Sequence, residues 1–390
     1  MTITNENGIN EVGINEAGTN EIDETGMNRD DGLPKADVIA IAGLGLIGGS
    51  LARRLTARGR RVIAWNHRDA PYAEARRAGI ECVARVEDLA SAKPDVLVLC
   101  TPLRAMPDVL ARLAPVLDEA TTLTDVGSVK GQVRDEVKAV GLDDRYVGAH
   151  PMAGNELSGY AASDPGLYDD ALWAVTYDGI TDYARLLTVT EMIVRGVGNR
   201  VIVLDDDTHD RAAALISHMP HVVATALANE LTETSERNIA QALAAGSWRD
   251  MTRVALTDPD RTRAMVEEDA DNVARLLRSV SARLAMMADV LEREGSGDPE
   301  DVGRALAESR GFFAAARPYR EFKARQRARE SGTASGAVSA NESVDAQALR
   351  INVTETGWRD ELLESAKRGE HIVGIESPTT FAVQVRTALV

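Results

Sequence analysis

Five apolar residues, Val38-Ile-Ala-Ile-Ala42, run directly into Gly43-Leu-Gly45-Leu46-Ile47-Gly48-Gly-Ser50, and the stretch beyond Gly48 has helical spacing. Few folds accept that order. A short unbroken apolar run reads as a strand buried on both faces, and the helix that follows one tight turn later must pack back across it. Gly43 permits the turn, Gly45 lets the backbone approach a pyrophosphate, and Gly48 lets helix and strand sit close together. The amides freed at the helix start, at Leu46 and Ile47, then face the phosphates with the helix dipole behind them. A glycine triplet alone arises by chance in glycine-rich loops; the flanking strand and helix are what give this one meaning.

From Ala36 to about Asp205, apolar strand candidates alternate with helical stretches. The candidates are Val38–Ala42, Val62–Trp65, Val96–Cys100, Thr122–Asp125, Val147–Ala149, Leu172–Thr176 and Val201–Leu204. Alternation of this kind predicts an α/β, Rossmann-type doubly wound sheet over residues 35–205. The break after the third strand, at Thr101-Pro102, falls on the edge where a cofactor ring would lie. Residues 206–330 carry no strand signal and are rich in Ala, Leu, Arg and Glu at helical spacing, which predicts an all-α domain. Residues 331–344 read as a flexible linker. Residues 345–390 read as a small α+β appendage, strand-helix-strand-strand, too short for confident independent stability and expected to dock on the main body. Residues 1–34 are acidic, free of aromatics and built on a recurring Asn-Glu pair, and are expected to form a disordered tail.

Composition narrows the partners. A net charge of −17 argues against nucleic acid and anionic membrane surfaces. No apolar run is long enough for a bilayer, and the N-terminus lacks the pattern of a secretory signal, so the cytoplasm is the expected location. Two cysteines, Cys82 and Cys100, are too few for a disulfide framework or a zinc site.

Three further segments carry chemistry. In Gly148-Ala-His150-Pro-Met-Ala-Gly-Asn-Glu156-Leu-Ser-Gly159, a strand ending in His-Pro presents one imidazole at a sheet edge, and imidazole exchanges protons near neutral pH. In Asp125-Val-Gly127-Ser128-Val-Lys130-Gly131, Ser128 lies at a strand-to-helix junction. There it can cap the helix, contact substrate or nicotinamide, or do both. The run Ala212–Ala228 is apolar nearly all round, as in a helix buried within a bundle or subunit interface. Pro220 should kink it beside His218 and His221, which share a face. An isolated histidine pair lacks the further ligands a metal needs, so no metal is expected. The second strand ends in Asn66-His67-Arg68, where an NAD-selective site usually places an acid. Asn66 removes the repelling charge and Arg68 can pair with a 2′-phosphate, which favours NADP, with NAD as the alternative because Asp69 is close by.

Taken together, Gly43–Gly48, Asp125–Lys130, His150–Glu156, His209-Asp210, Ser217-His-Met-Pro-His221 and Trp248-Arg-Asp-Met-Thr-Arg253 resemble, in order and spacing, the prephenate and arogenate dehydrogenases. The resemblance covers about Val38 to Arg317. It implies an NAD(P)-dependent oxidative decarboxylation in tyrosine biosynthesis, and a helical domain that forms a homodimer and helps close the site. It implies that His150 assists removal of the substrate's hydroxyl proton, that Ser128 supports the same hydroxyl, and that Arg253 engages a substrate carboxylate. His218, His221 and Glu156 would line the site in polar or gating roles. The alternatives are arogenate as substrate, a β-hydroxyacid dehydrogenase, or a nucleotide-binding regulator without turnover. The first differs from prephenate by an amino group in place of a keto group. The second would offer a lysine where this chain has His218 and His221. The third would not need His150, Ser128 and Arg253 together. The C-terminal piece is too short for the regulatory ACT domain that some members carry.

Overall fold

The computed structural model describes residues 32–155, 157–295, 298–330 and 349–386. The expected linker and nearly all of the expected N-terminal tail lie outside these residues, as does Glu156.

The first apolar runs form a parallel sheet: β1 Val38–Ala42, β2 Arg61–Trp65, β3 Glu81–Cys82, β4 Val96–Leu99 and β5 Thr122–Asp125, in the order β3-β2-β1-β4-β5. β3 is an edge strand of two residues, too short for any periodicity to reveal. The strand order reverses between β1 and β4, and Ala42 aligns with both Trp65 and Leu99. The loops that begin at Gly43, Asn66 and Cys100 therefore open on one edge around the switch point, where open α/β sheets bind ligands. The helix Leu46–Ala57 buries Leu51, Ala52 and Leu55 against this sheet.

A second sheet adds β6 Gly148–Pro151, β7 Leu172–Tyr177, β8 Arg200–Asp205, β9 Leu349–Asn352, β10 Glu370–Ser377 and β11 Thr380–Val385, in the order β6-β7-β8-β10-β11-β9. A parallel bridge between Leu123 and Tyr146 sets it beside β5. β6 and β7 are antiparallel, a departure from uniform parallel winding. The cause is the connection between them. It holds two short 3-10 turns, Tyr160–Ala162 and Pro165–Tyr168, and no crossover helix, which a parallel return requires. This segment folds back on the helix Leu46–Ala57, where Tyr168 Oη donates to the Ile47 carbonyl at 2.8 Å. A Cβ at Gly49 would stand 2.8 Å from the Tyr160 ring, so glycine is what admits the contact.

The C-terminal appendage is an extension of this sheet, with β10 pairing to β8 through Ile372 and Val201. The pairing covers what would otherwise be an open strand edge. Its helix, Trp358–Lys367, buries Trp358 with the rings of Tyr177 and Tyr183 at 5.1 and 5.2 Å. The Arg359 guanidinium donates to the carbonyls of Asp178, Gly179 and Thr181. Burying one tryptophan side chain is worth about 4–6 kcal/mol before ordering costs.

Between Asp206 and Glu330 the described residues are helical or in short turns. Asp205 caps the first helix, Asp206–Ala213, by accepting from Thr208 N at 2.8 Å. That helix continues through a π-helical turn, Ala214–His218, into the helix Met219–Glu233. Where a kink is expected at Pro220, the structure has this widened turn just before it: proline has no N–H for the preceding turn, and the ladder reorganises ahead of it. Only Ala224 of Met219–Glu233 is buried within one chain. Leu243 and Leu256 are 77% and 83% exposed, and Leu215 and Ile216 are also open. Leu243 and Leu256 end segments that both pack on Met219–Glu233, so large apolar side chains stand open around a helix that is itself little buried within one chain, as at an interaction face.

Candidate active site

The glycine turn is shaped by sterics. Gly43 has φ +117°, and a Cβ there would stand 2.6 Å from the Cys100 carbonyl oxygen; at Gly48 it would stand 2.0 Å from the Gly43 oxygen. At Gly45 nothing lies within 4 Å, which leaves space over the helix start. Gly45 caps that helix without a side-chain bond, and no acid occupies its first turn. The amides at Leu46 and Ile47 thus present an uncontested anion site, a cradle that fits a dinucleotide's pyrophosphate. Asn66 Oδ1 accepts from Leu44 N at 3.0 Å and Asn66 Nδ2 donates to the Arg68 carbonyl at 2.9 Å, so this side chain also braces the glycine turn. The side chains of His67 and Arg68 are exposed and, among the described residues, make no hydrogen bond or ion pair. Thr101 and Pro102 follow β4 directly on the same edge.

Ser128 does not cap a helix. The helix Gly131–Ala139 begins after Lys130 with no local side-chain cap. Its first amides are held instead by Asp210 of the helical segment, which accepts from Lys130 N at 2.8 Å and Gly131 N at 2.9 Å. The Ser128 hydroxyl makes no hydrogen bond among the described residues and stays available.

The turn bearing Ser128 and the strand bearing His150 are tied by a buried ion pair. Lys130 and Asp125 are both fully buried, and Lys130 Nζ donates to the Asp125 carboxylate and, at 2.9 Å, to the Ala149 carbonyl. Asp125 also accepts from Tyr146 Oη and Gly127 N, each at 2.8 Å. His150, on β6, faces His209 with Nδ1 and Nε2 3.0 Å apart, and His209 Nδ1 lies 2.8 Å from Asp210 Oδ1. Burial pushes the His150 imidazole well below its usual range, and the nearby charges of His209, Lys130 and His218 push the same way. A neutral imidazole is the form that can accept a proton.

His218 is fully buried at the end of the π-helical turn. Its Nδ1 meets Asp269 at 2.8 Å, while Nε2 has no partner among the described residues. His221 is held by the Ser217 carbonyl at 2.9 Å, so the two histidines have different partners. Arg253 opens the turn Arg253–Leu256, which packs on the helix Met219–Glu233. It is exposed and, among the described residues, its side chain makes no hydrogen bond or ion pair, with His150 and Ser128 included. His209 and Asp210 stand in the sequence as a motif without an assigned role. Lys130 gives the sequence no signal beyond its motif, and Asp269 lies 51 positions from the histidine it holds.

A glycine cradle open at the switch point, with a neutral, recessed imidazole on the next sheet, is the arrangement of a nucleotide-dependent oxidoreductase. Residues 51–203 match the nucleotide-binding domain of prephenate dehydrogenase, and residues 205–308 match its dimerization domain. The cyclohexadienyl dehydrogenase of Zymomonas mobilis is 32% identical over 237 residues, covering 60% of this chain and 80% of that protein. The prephenate dehydrogenase of Bacillus subtilis is 29% identical over 298 residues, covering 73% and 76%. The crystal structure of Aquifex aeolicus prephenate dehydrogenase, in complex with hydroxyphenyl propionate and NAD+, superposes with a TM-score of 0.61 at 28% identity, covering 72% of this chain and 99% of that one. The chain belongs to the prephenate dehydrogenase family.

Proposed function

We propose that this chain oxidises and decarboxylates prephenate to 4-hydroxyphenylpyruvate, the reaction that the family's tyrosine-forming branch requires. The observation that carries the reading is the neutral His150 imidazole, tied through Lys130 to the turn of Ser128 on the edge where the glycine cradle opens. Prephenate bears a hydroxyl and a hydrogen on one ring carbon and a carboxylate across the ring. His150 accepts the hydroxyl proton as the carbonyl forms; loss of carbon dioxide then aromatises the ring, and the proton returns to the phenol oxygen. Bound NAD(P)+ supplies the hydride acceptor. Aromatisation drives the step, so the protein's contribution is alignment and a place for one proton. Ser128 supports the hydroxyl, and Arg253, uncommitted to any ion pair among the described residues, engages a substrate carboxylate with its bidentate fork. His218 and His221 line the helical side of the site, and Glu156 joins them by family resemblance.

The exposed Arg68 and the absence of an acid at Asn66 favour NADP over NAD. The open apolar surface around Leu243 and Leu256 supports a homodimer formed through the helical domain. A cytoplasmic setting agrees with two free cysteines and a need for the NAD(P) pool. The test is the absorbance of reduced nicotinamide with prephenate and arogenate, each with NAD and NADP. Turnover of prephenate with NADP supports the whole reading. Turnover of arogenate alone moves the substrate, and binding without turnover of either returns the chain to a nucleotide-binding regulator.

A further inference from the structure

Asp210 stands at the meeting point of three hydrogen bonds. Oδ1 accepts from Lys130 N at 2.8 Å and meets His209 Nδ1 at 2.8 Å, and Oδ2 accepts from Gly131 N at 2.9 Å. Burial opposes its charge, but the His209 bond and the two amides outweigh it and hold the carboxyl below the usual carboxylate range. An ionised carboxylate has no proton to give. A neutral His209 therefore carries its proton on Nδ1, which leaves its Nε2 as a lone pair. That nitrogen lies 3.0 Å from His150 Nδ1, so the proton between the two rings belongs to His150. The remaining nitrogen, His150 Nε2, is a bare acceptor that no described residue engages.

We propose that Asp210, acting through His209, sets the tautomer of His150 so that Nε2 receives the substrate's hydroxyl proton, and that the same carboxylate fixes the turn bearing Ser128. The proposal rests on the reaction given above. Both are positioning residues. As the substrate O–H bond breaks, its proton bonds to Nε2 and the oxygen's electron pair becomes part of the new carbonyl. The resulting imidazolium keeps Nδ1–H on His209, whose own Nδ1–H points at the Asp210 carboxylate, so the transient positive charge is balanced within two rings. The other charged groups around His150 are Lys130, committed to Asp125, and His218, committed to Asp269.

The test uses the full-length protein and Asp210→Ala, since an asparagine oxygen in the Oδ1 place would still accept from both Lys130 N and His209. Alanine leaves no acceptor at His209 Nδ1, so nothing fixes the His209 proton there, and the tautomer of His150 with Nε2–H facing the substrate becomes populated. Loss of the fixed tautomer, of the ring orientation and of the counter-charge should together lower kcat by at least about 100-fold. KM and NADP affinity, the latter read by fluorescence titration, should stay within about threefold. Imidazole nitrogen NMR of the substrate-free protein, with His150 assigned through His150→Asn, should show Nδ1–H in the parent and both tautomers in the variant. Should Asp210→Ala not fold, the pair His209→Gln and His209→Leu decides: glutamine can accept from His150 Nδ1 and should retain more than about ten times the kcat of leucine. An Nε2–H tautomer in the parent, near-parental kcat in folded Asp210→Ala, or equal loss in both His209 variants would overturn the proposal. Failure of the parent to turn over prephenate would sink the assigned reaction, while the NMR tautomer would still decide this inference.

Discussion

Replacing Lys130 by Met tests how the site is held together. Lys130 is fully buried, and its ammonium meets an equally buried Asp125 carboxylate and the Ala149 carbonyl. Methionine keeps most of the stem's volume, so lost packing contributes little. What remains is a buried carboxylate served by the neutral donors Tyr146 Oη, Gly127 N and, at 3.3 Å, Ala149 N. Removing one partner of such a pair costs about 3–5 kcal/mol, because the other charge stays behind without its counterion. The double variant Lys130→Met with Asp125→Asn removes that charge and should recover about 1–3 kcal/mol of the loss as coupling. Urea unfolding followed by tryptophan fluorescence is suited to the measurement, since Trp65, Trp173 and Trp358 are all buried around the two sheets. The pair also spaces Ser128 from His150, so kcat in the single variant should fall about 100-fold, the cost of a displacement near 1 Å. A single variant losing less than about 1 kcal/mol, or a double variant no better than the single, would show that the carboxylate does not need its counterion.

Four other outcomes follow from the same geometry. His150→Asn should lower kcat by roughly two to four orders of magnitude in a folded protein. It should also flatten the stability loss on the acid side: the folded imidazole is held well below its usual range, so below about pH 6.5 the unfolded chain takes a proton that the folded chain refuses. Arg253→Gln should mainly raise KM and leave cofactor affinity unchanged, with Lys rescuing only in part; an unchanged KM would take the substrate carboxylate away from it. Arg68→Ala should weaken NADP and spare NAD, and Asn66→Asp should reverse the preference while keeping an acceptor for Leu44 N; equal effects on kcat/KM for both cofactors refute the NADP assignment. Leu243→Asp combined with Leu256→Asp should convert the dimer to monomer in sedimentation, and a persisting dimer would place the interface elsewhere.

How far the sequence was legible depended on the distance over which each constraint acts. The Gly43–Gly48 turn was readable because strand, turn and helix are contiguous, and the steric need for glycine at Gly43 and Gly48 is met within the unit and by Cys100. The strands of Val38–Ala42 and Val96–Leu99 were readable because burial on both faces leaves an unbroken apolar run. β3 was not, since a two-residue edge strand has no period. The antiparallel β6–β7 pair was hidden for another reason. Strand signals do not encode direction, and direction here follows from a connection that lacks a helix. Within the site, side chains such as His150 could be picked out because motif and residue type coincide. Their supports could not. Asp210 caps a helix that begins 79 positions earlier, and Asp269 holds a histidine 51 positions before it. A helix cap is expected to be local, so Ser128 looked suited to a task that a distant aspartate performs. That substitution has a chemical consequence: by capping the helix from outside, Asp210 leaves the Ser128 hydroxyl unspent at the edge where the cofactor cradle opens.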